Sequence, residues 1–359
     1  MSKMKGIRGT IVHSKSFSVI EIIEDGVVVY DTFGVIEKII DLNCYEDNLS
    51  KIELCDHRGK LIIPGFIDAH VHAPQYSFIG TGMDLTLLKW LESYTFPSEA
   101  KFKELNFANQ IYRKSIRRHL KCGTTFASYF GTIDLGSNKL LANIIREYGQ
   151  RAYIGKVSMD RNAPEYYIES TSKSVEDNED FIKYVLSLST EGLNYLNSLS
   201  DSNANMDHIS KSQLLNKIDT PLLIPVITPR FVPTCTKRLM TQLSELSSKY
   251  QIPIQSHLCE TTNEISWCQE LHPEENSYAD IYNSCGLLIP GRSYMAHCCF
   301  CTKHERELLK STGTGVVHCP CSNFMIMSGE CIYPRSVLES ISFQYGNLIR
   351  FRPLPLNAR

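Results

Sequence analysis

From residue 61 onward the chain alternates short apolar runs with amphipathic stretches, and no other feature narrows its fold so far. The apolar runs are Leu61–Ile67, Thr124–Phe130, Ala152–Val157, Leu222–Ile227, Ile252–Ser256, Ser293–Ala296 and Gly315–Val317. Runs this short, bounded by turn residues, suit strands buried on both faces. Helical spacing fills most of the intervals, at Phe107–Leu120, Leu140–Tyr148, Val175–Leu186, Lys237–Tyr250 and His304–Lys310. Strand–helix alternation builds a parallel sheet with helical crossovers. A doubly wound sheet wants a glycine-rich phosphate loop after its first strand; here that place holds His-Val-His-Ala-Pro-Gln, residues 70–75. The polar groups gather at strand ends instead, which is the habit of a (β/α)8 barrel. The predicted fold is therefore α/β, a TIM-type (β/α)8 barrel over residues 61–340 that is incomplete, since seven strands can be counted and the last is missing. Residues 1–60 predict a small β-sheet or sandwich unit, with Gly26 and Gly34 as turns, incomplete without C-terminal strands. A Ser/Asn-rich insertion is expected at 187–216, and a divergent tail at 341–359.

Composition excludes several classes. The 359 residues carry 37 basic and 39 acidic side chains, a net charge of -2 that gives no electrostatic case for nucleic acid or an anionic membrane. No apolar run approaches the roughly 18–20 residues of a membrane span. The N-terminus lacks the apolar core of a signal peptide, and the odd cysteine total of 13 reads as reduced thiols. A cytoplasmic protein is expected. Cys298-Cys-Phe-Cys301 and Cys319-Pro-Cys321 are dense enough to raise a second metal site, but paired Cys-x-x-Cys spacing is absent. The plainer reading, small residues in a core or loop, is preferred.

Chemistry concentrates at four strand ends. Residues 64–72 read Pro-Gly-Phe-Ile-Asp-Ala-His-Val-His. Alternation with period two would point Asp68, His70 and His72 the same way, and two neutral imidazoles on one face can grip a metal ion. A lone His-x-His is as often two half-buried polar residues; His257 after the fifth strand and His297 after the sixth tip the balance, because ends of one barrel converge on one mouth. Glu260 follows His257 by three residues, and Thr228-Pro-Arg-Phe231 ends the fourth strand. Alone, Arg230 has a serious rival reading as a strand-end ion pair, and Gln75 alone reads as a solvated loop amide.

Together these segments resemble the metal-dependent amidohydrolase superfamily, and within it the guanine deaminases. The resemblance rests on Pro64–Phe78, Leu88-Lys-Trp-Leu-Glu-Ser-Tyr-Thr-Phe-Pro97, Cys122–Phe130, Gly149–Val157, Thr228–Phe231, Gln255–Glu260 and His318-Cys-Pro-Cys-Ser-Asn323, in that order. It implies one Zn2+ per chain held by His70, His72 and His257, and guanine as the small-molecule substrate. It further implies that Gln75 contacts the purine and that Arg230, with Phe231 beside it, bonds the carbonyl edge. Glu260 would carry a proton to a ring nitrogen, and His297 would bond the water or substrate rather than ligate. A homodimer is also implied.

One expected element is absent. The resemblance calls for an aspartate after the eighth strand, as a further zinc ligand and proton acceptor. No aspartate follows Asp280, and residues 319–359 hold only Glu330 and Glu339 as carboxylates. The expectation is weak or no turnover by this chain, with a catalytically inactive isoform acting through subunit contacts as the alternative. A third reading, an amidohydrolase acting on another heterocycle, would want a modified lysine at the end of the fourth strand; Thr228-Pro-Arg230 stands there, and Lys156 lies on the third. The cytidine-type deaminase clamp Pro-Cys-x-x-Cys fails at Phe324.

Overall fold

The structure, a computed structural model, describes residues 4–16, 19–31, 34–44, 49–189, 222–326 and 328. Almost all of the 187–216 insertion, the 341–359 tail and the place of an eighth strand lie outside them. The chain divides into a unit at Met1–Phe66 and another at Ile67–Leu348.

The first unit is a four-stranded sheet of β1 (Met4–Ser16), β2 (Val19–Tyr30), β3 (Ile36–Asp41) and β4 (Ile52–Ile62), ordered β3-β2-β1-β4. β1 runs antiparallel to β2 and parallel to β4. Val27, Val29, Ile40 and Ile52 form its small core. Gly26 lies within β2, opposite Gly9 of β1, where a Cβ would come within 2.5 Å of Ile11 Cδ1 and displace that side chain.

The second unit holds the parallel strands. They are β5 (Phe66–His72), β6 (Thr124–Phe130), β7 (Arg151–Gly155), β8 (Val157–Ser158), β9 (Leu223–Pro225), β10 (Thr228–Pro229), β11 (Ile254–Leu258), β12 (Ser293–His297) and β13 (Gly315–Val317). One sheet runs β5-β6-β7-β9, another β11-β12-β13, and β8 pairs with β10. A parallel bridge between Ile227 and Ile254 links the β9–β10 stretch to β11. Sequential order with parallel pairing is the α/β arrangement the alternation predicts. The first strand is placed differently. The apolar run from Leu61 to Ile67 is cut by Pro64, which has no N–H to donate, and by Gly65. Its front half ends β4 of the small sheet and its back half opens β5.

The helices between strands are α1 (Leu105–Lys121), α2 (Leu135–Tyr148), α3 (Thr171–Ser187), α4 (Lys237–Tyr250), α5 (Thr262–Leu271), α6 (Tyr278–Ser284), α7 (Lys303–Ser311) and α8 (Pro320–Met325). Side chains of Asp134, Ser170 and Thr236 cap α2, α3 and α4. Thr261 with Glu264 and Thr302 with Glu305 form capping boxes on α5 and α7. Buried faces of α4, α6 and α7 pack against β11 and β12 in one core; α1 and α2 pack on β6 and β7 in a second. Residues 87–100 wind through single turns of α, π and α helix (Leu87–Trp90, Leu91–Thr95, Phe96–Ala100). Among the described residues no helix is long and apolar enough to cross a membrane.

The strands curl. From β5 to β12 there are five steps along the strand order, about 24 Å in a flat sheet at 4.8 Å per step. Yet the rings of His70 on β5 and His297 on β12 lie 5.4 Å apart, so the strand ends come round to face one another.

Candidate metal centre and active site

The site is built from strand termini. β5 ends on His72 and carries His70; β11 carries His257; β12 ends on His297. The ring of His70 lies 5.0 Å from that of His72 and 4.7 Å from that of His257. His72 Nε2 is 3.0 Å from His257 Nε2. The ligating atoms of His70, His257 and His297 all fall within 4.8 Å of one another. Two nitrogens bound at 2.0–2.1 Å to one tetrahedral zinc sit roughly 3.3 Å apart, so the His72–His257 spacing suits a shared ion.

Burial decides the protonation of these rings. His70, His72 and His257 are all held well below the ordinary histidine range, first by burial and then by mutual repulsion of their charged forms. Phe130 at the end of β6 packs its ring within 4.6–4.8 Å of all three. They are neutral at pH 7, with lone pairs free. His257 Nδ1–H donates to the Arg230 carbonyl at 2.6 Å, which leaves Nε2 as the bare acceptor. His297 Nδ1–H donates to Asn323 Oδ1 at 2.7 Å, with the same result. Among the described residues His72 Nδ1 is buried without a hydrogen-bond partner. Convergent neutral imidazoles, oriented from behind, fit a divalent metal.

The other expected residues fall as follows. Glu260 is buried, its Oε1 3.4 Å from His297 Nδ1. Burial pushes its carboxyl up to about 8, with the Arg230 charge pulling the other way. The turn that carries it is tied down by Glu264, whose Oε2 accepts the amides of Glu260 and Thr261 and whose Oε1 accepts the Tyr278 hydroxyl. Phe231 is buried beside Arg230 and belongs to the apolar cluster of Trp90, Phe96 and Phe130. Gln75 is half-buried in the 3-10 turn Ala73–Phe78 directly after His72. Asp68 does not join the histidines: it turns to His119 of α1, 3.5 Å away, and accepts the His70 amide. Lys156 is also engaged elsewhere, in a buried pair with Glu169 at 2.7 Å.

Arg230 makes the strand-end ion pair that its sequence position allowed. Its guanidinium is buried and clamped by both oxygens of Glu99, at 2.6 and 3.1 Å. It also lies over the Phe96 ring. Tyr167 hydroxyl donates to the same carboxylate at 2.7 Å. Two of the five guanidinium donors are spent on Glu99, which holds the fork rigid. Glu99, Tyr167, Asn323 and Glu264 were not singled out from the sequence. Glu99 does stand two residues after the Tyr-Thr-Phe-Pro97 motif, and the Thr261–Glu264 spacing is a readable capping box.

The raised Glu260 carboxyl makes a prediction for metal-free protein. In the folded state it holds its proton to about pH 8, and in the unfolded chain it ionises near 4.5. Between those values folding binds a proton, so stability falls as pH rises, by up to about 1.4 kcal/mol per pH unit. Glu260→Gln should therefore raise the thermal midpoint relative to wild type at pH 8 and leave it unchanged at pH 4. Equal midpoints at both pH values would contradict the assignment.

Comparison with known proteins agrees with this geometry. The amidohydrolase family model matches residues 61–346. A guanine deaminase of Dictyostelium discoideum is 39% identical over 351 residues, covering 94% of this chain and 71% of that protein. A probable guanine deaminase of Schizosaccharomyces pombe is 38% identical, covering 89% of this chain and 57% of that protein. The chain thus spans between about half and three-quarters of the length of these relatives. Among solved structures, guanine deaminase of C. acetobutylicum with bound guanine aligns with a TM-score of 0.79 at 35% identity, covering 94% of this chain and 72% of that one. On the breadth of the family match and the identity shared with the Dictyostelium protein, the chain belongs to the amidohydrolase family, among the guanine deaminases.

Proposed function

We propose that the protein hydrolyses guanine to xanthine and ammonia at a zinc ion held by His70, His72 and His257. The observation that carries this reading is the meeting of neutral imidazoles from β5 and β11 with a protonated buried carboxyl at Glu260. Zinc, when bound there, supplies a Lewis acid that brings the pKa of a water down to about 7. The protein's own groups do the rest. Glu260, protonated at neutral pH, donates to a ring nitrogen of guanine and makes C2 electrophilic. The clamped Arg230 fork bonds the purine carbonyl oxygen, Phe231 flanks the ring, and Gln75 contacts its edge. His297, with Nδ1–H committed to Asn323, presents Nε2 to the water or the substrate. Oxygen from water ends on C2, and the amino group departs as ammonia with the proton carried across.

The test is xanthine and ammonia release by zinc-loaded protein, with guanine binding measured separately by calorimetry. Glu260→Gln should abolish release while guanine still binds. Neither binding nor release by wild type would sink the proposal and favour the inactive, contact-only alternative.

A further inference from the structure

A second cluster of metal-seeking side chains lies one step along the same strands. Cys259 directly follows β11, Cys298 directly follows β12, Cys301 immediately precedes the α7 cap Thr302, and Glu305 sits in the first turn of α7. All four are buried. The ligating atoms of Cys259, Cys301 and Glu305 fall within 4.8 Å of one another. Cys259 Sγ is 3.4 Å from Glu305 Oε1, and the thiols of Cys259 and Cys298 both hydrogen-bond to Cys301. Buried cysteines ordinarily act as small hydrophobes; here two sulfurs meet a carboxylate and a third is bonded to Cys301. Two thiolates on one tetrahedral zinc stand roughly 3.8 Å apart, so the cluster needs little contraction to close on an ion.

We propose that Cys259, Cys301 and Glu305 form a second, sulfur-rich metal site, distinct from the histidine centre, that takes zinc or a similarly thiophilic divalent cation, with the Cys298 thiol beside Cys301 as a further ligand. Its surroundings act both ways on the charged ligands it would need, since burial pushes the Cys259 thiol up. The Arg306 guanidinium donates to the Cys301 carbonyl at 2.5 Å, and the N-terminus of α7 begins beside it. Hydrogen bonds from Cys259 and Cys298 pull the Cys301 thiol down to about 6. Glu305 is oriented from behind: Oε2 accepts the Thr302 amide and hydroxyl at 2.8 and 2.9 Å. Glu305 also lines a cavity of about 350 Å³ with Tyr278, Phe300, Thr302 and His304, which supplies a way in. Each coordinating thiol gives its proton to solvent as its sulfur bonds the metal, and nothing is oxidised or reduced.

Full-length protein stripped of metal and titrated with cobalt(II) under reducing conditions tests this, with zinc content measured in parallel by mass spectrometry. Wild type should take about two equivalents and show an ultraviolet thiolate-to-cobalt charge-transfer band, which a site of imidazoles cannot produce. His70→Ala should keep the band and lose about one equivalent of metal; Cys301→Ser should lose the band and keep the histidine-bound equivalent. The wild-type band needs no variant, so a misfolded Cys301→Ser protein would not rescue a failed proposal. A single equivalent without a thiolate band in wild type would overturn it. So would a Cys259–Cys301 disulfide forming in air at the same rate with and without added zinc. None of these outcomes depends on guanine turnover.

Discussion

Glu99→Ala should be the most destabilising single change in the site. Arg230 and Glu99 are only 2% and 1% exposed, so the substitution strands a cation in the interior. Breaking one partner of a buried pair costs about 3–5 kcal/mol, a large share of the roughly 5–15 kcal/mol that holds a domain together. The Tyr167 hydroxyl loses its acceptor as well. Urea denaturation should show a matching fall in midpoint, and guanine affinity should fall with it as the fork loses its clamp. Glu99→Gln keeps an acceptor of the same shape and should recover part of both. An unchanged midpoint in Glu99→Ala would mean that the pair does not hold the site.

His257→Ala should bring the second large loss, in metal retention and turnover together. His257 is the joint of the cluster: it faces His72 at 3.0 Å, groups with His70 and His297, and is anchored by the Arg230 carbonyl. Losing an outer partner of a metal ligand already costs about 10–100-fold in affinity, so losing the ligand should cost more. Without the metal, the pKa of water stays nearly nine units above where the reaction needs it. Equilibrium dialysis should show one zinc equivalent fewer than wild type, and xanthine formation should fall to background. Chelation should reproduce the loss in wild type, and added zinc should reverse it there but not in the variant. Full zinc retention by the variant would move the ligand role to His297.

Much of this was legible in the chain. Apolar runs spaced by amphipathic stretches predict parallel strands with helical crossovers, because burial on both faces leaves no other use for them. Thr124–Phe130 and Gly315–Val317 fall where those runs lie. The His-x-His pair, His257, Glu260 and His297 stand at strand ends where polar residues have no structural reason to accumulate. The split at Pro64 was also present in the sequence, yet apolar continuity obscured it.

Other features required long-range proximity. Glu99 lies 131 residues from Arg230, and no local spacing encodes that pairing. Asp68 shares a strand with His70 and His72, but its nearest base is His119 across the helix layer, so local alternation misassigns it. The carboxyl of Glu260 is ordinary in sequence and raised only because the fold buries it. Cys298 and Cys301 already stand close in the sequence, whereas Cys259 joins them only because β11 pairs with β12. Residue type and period thus determined the elements and the kind of chemistry. Tertiary structure decided partners, protonation and rigidity, because these depend on burial and on contacts between residues far apart in the chain.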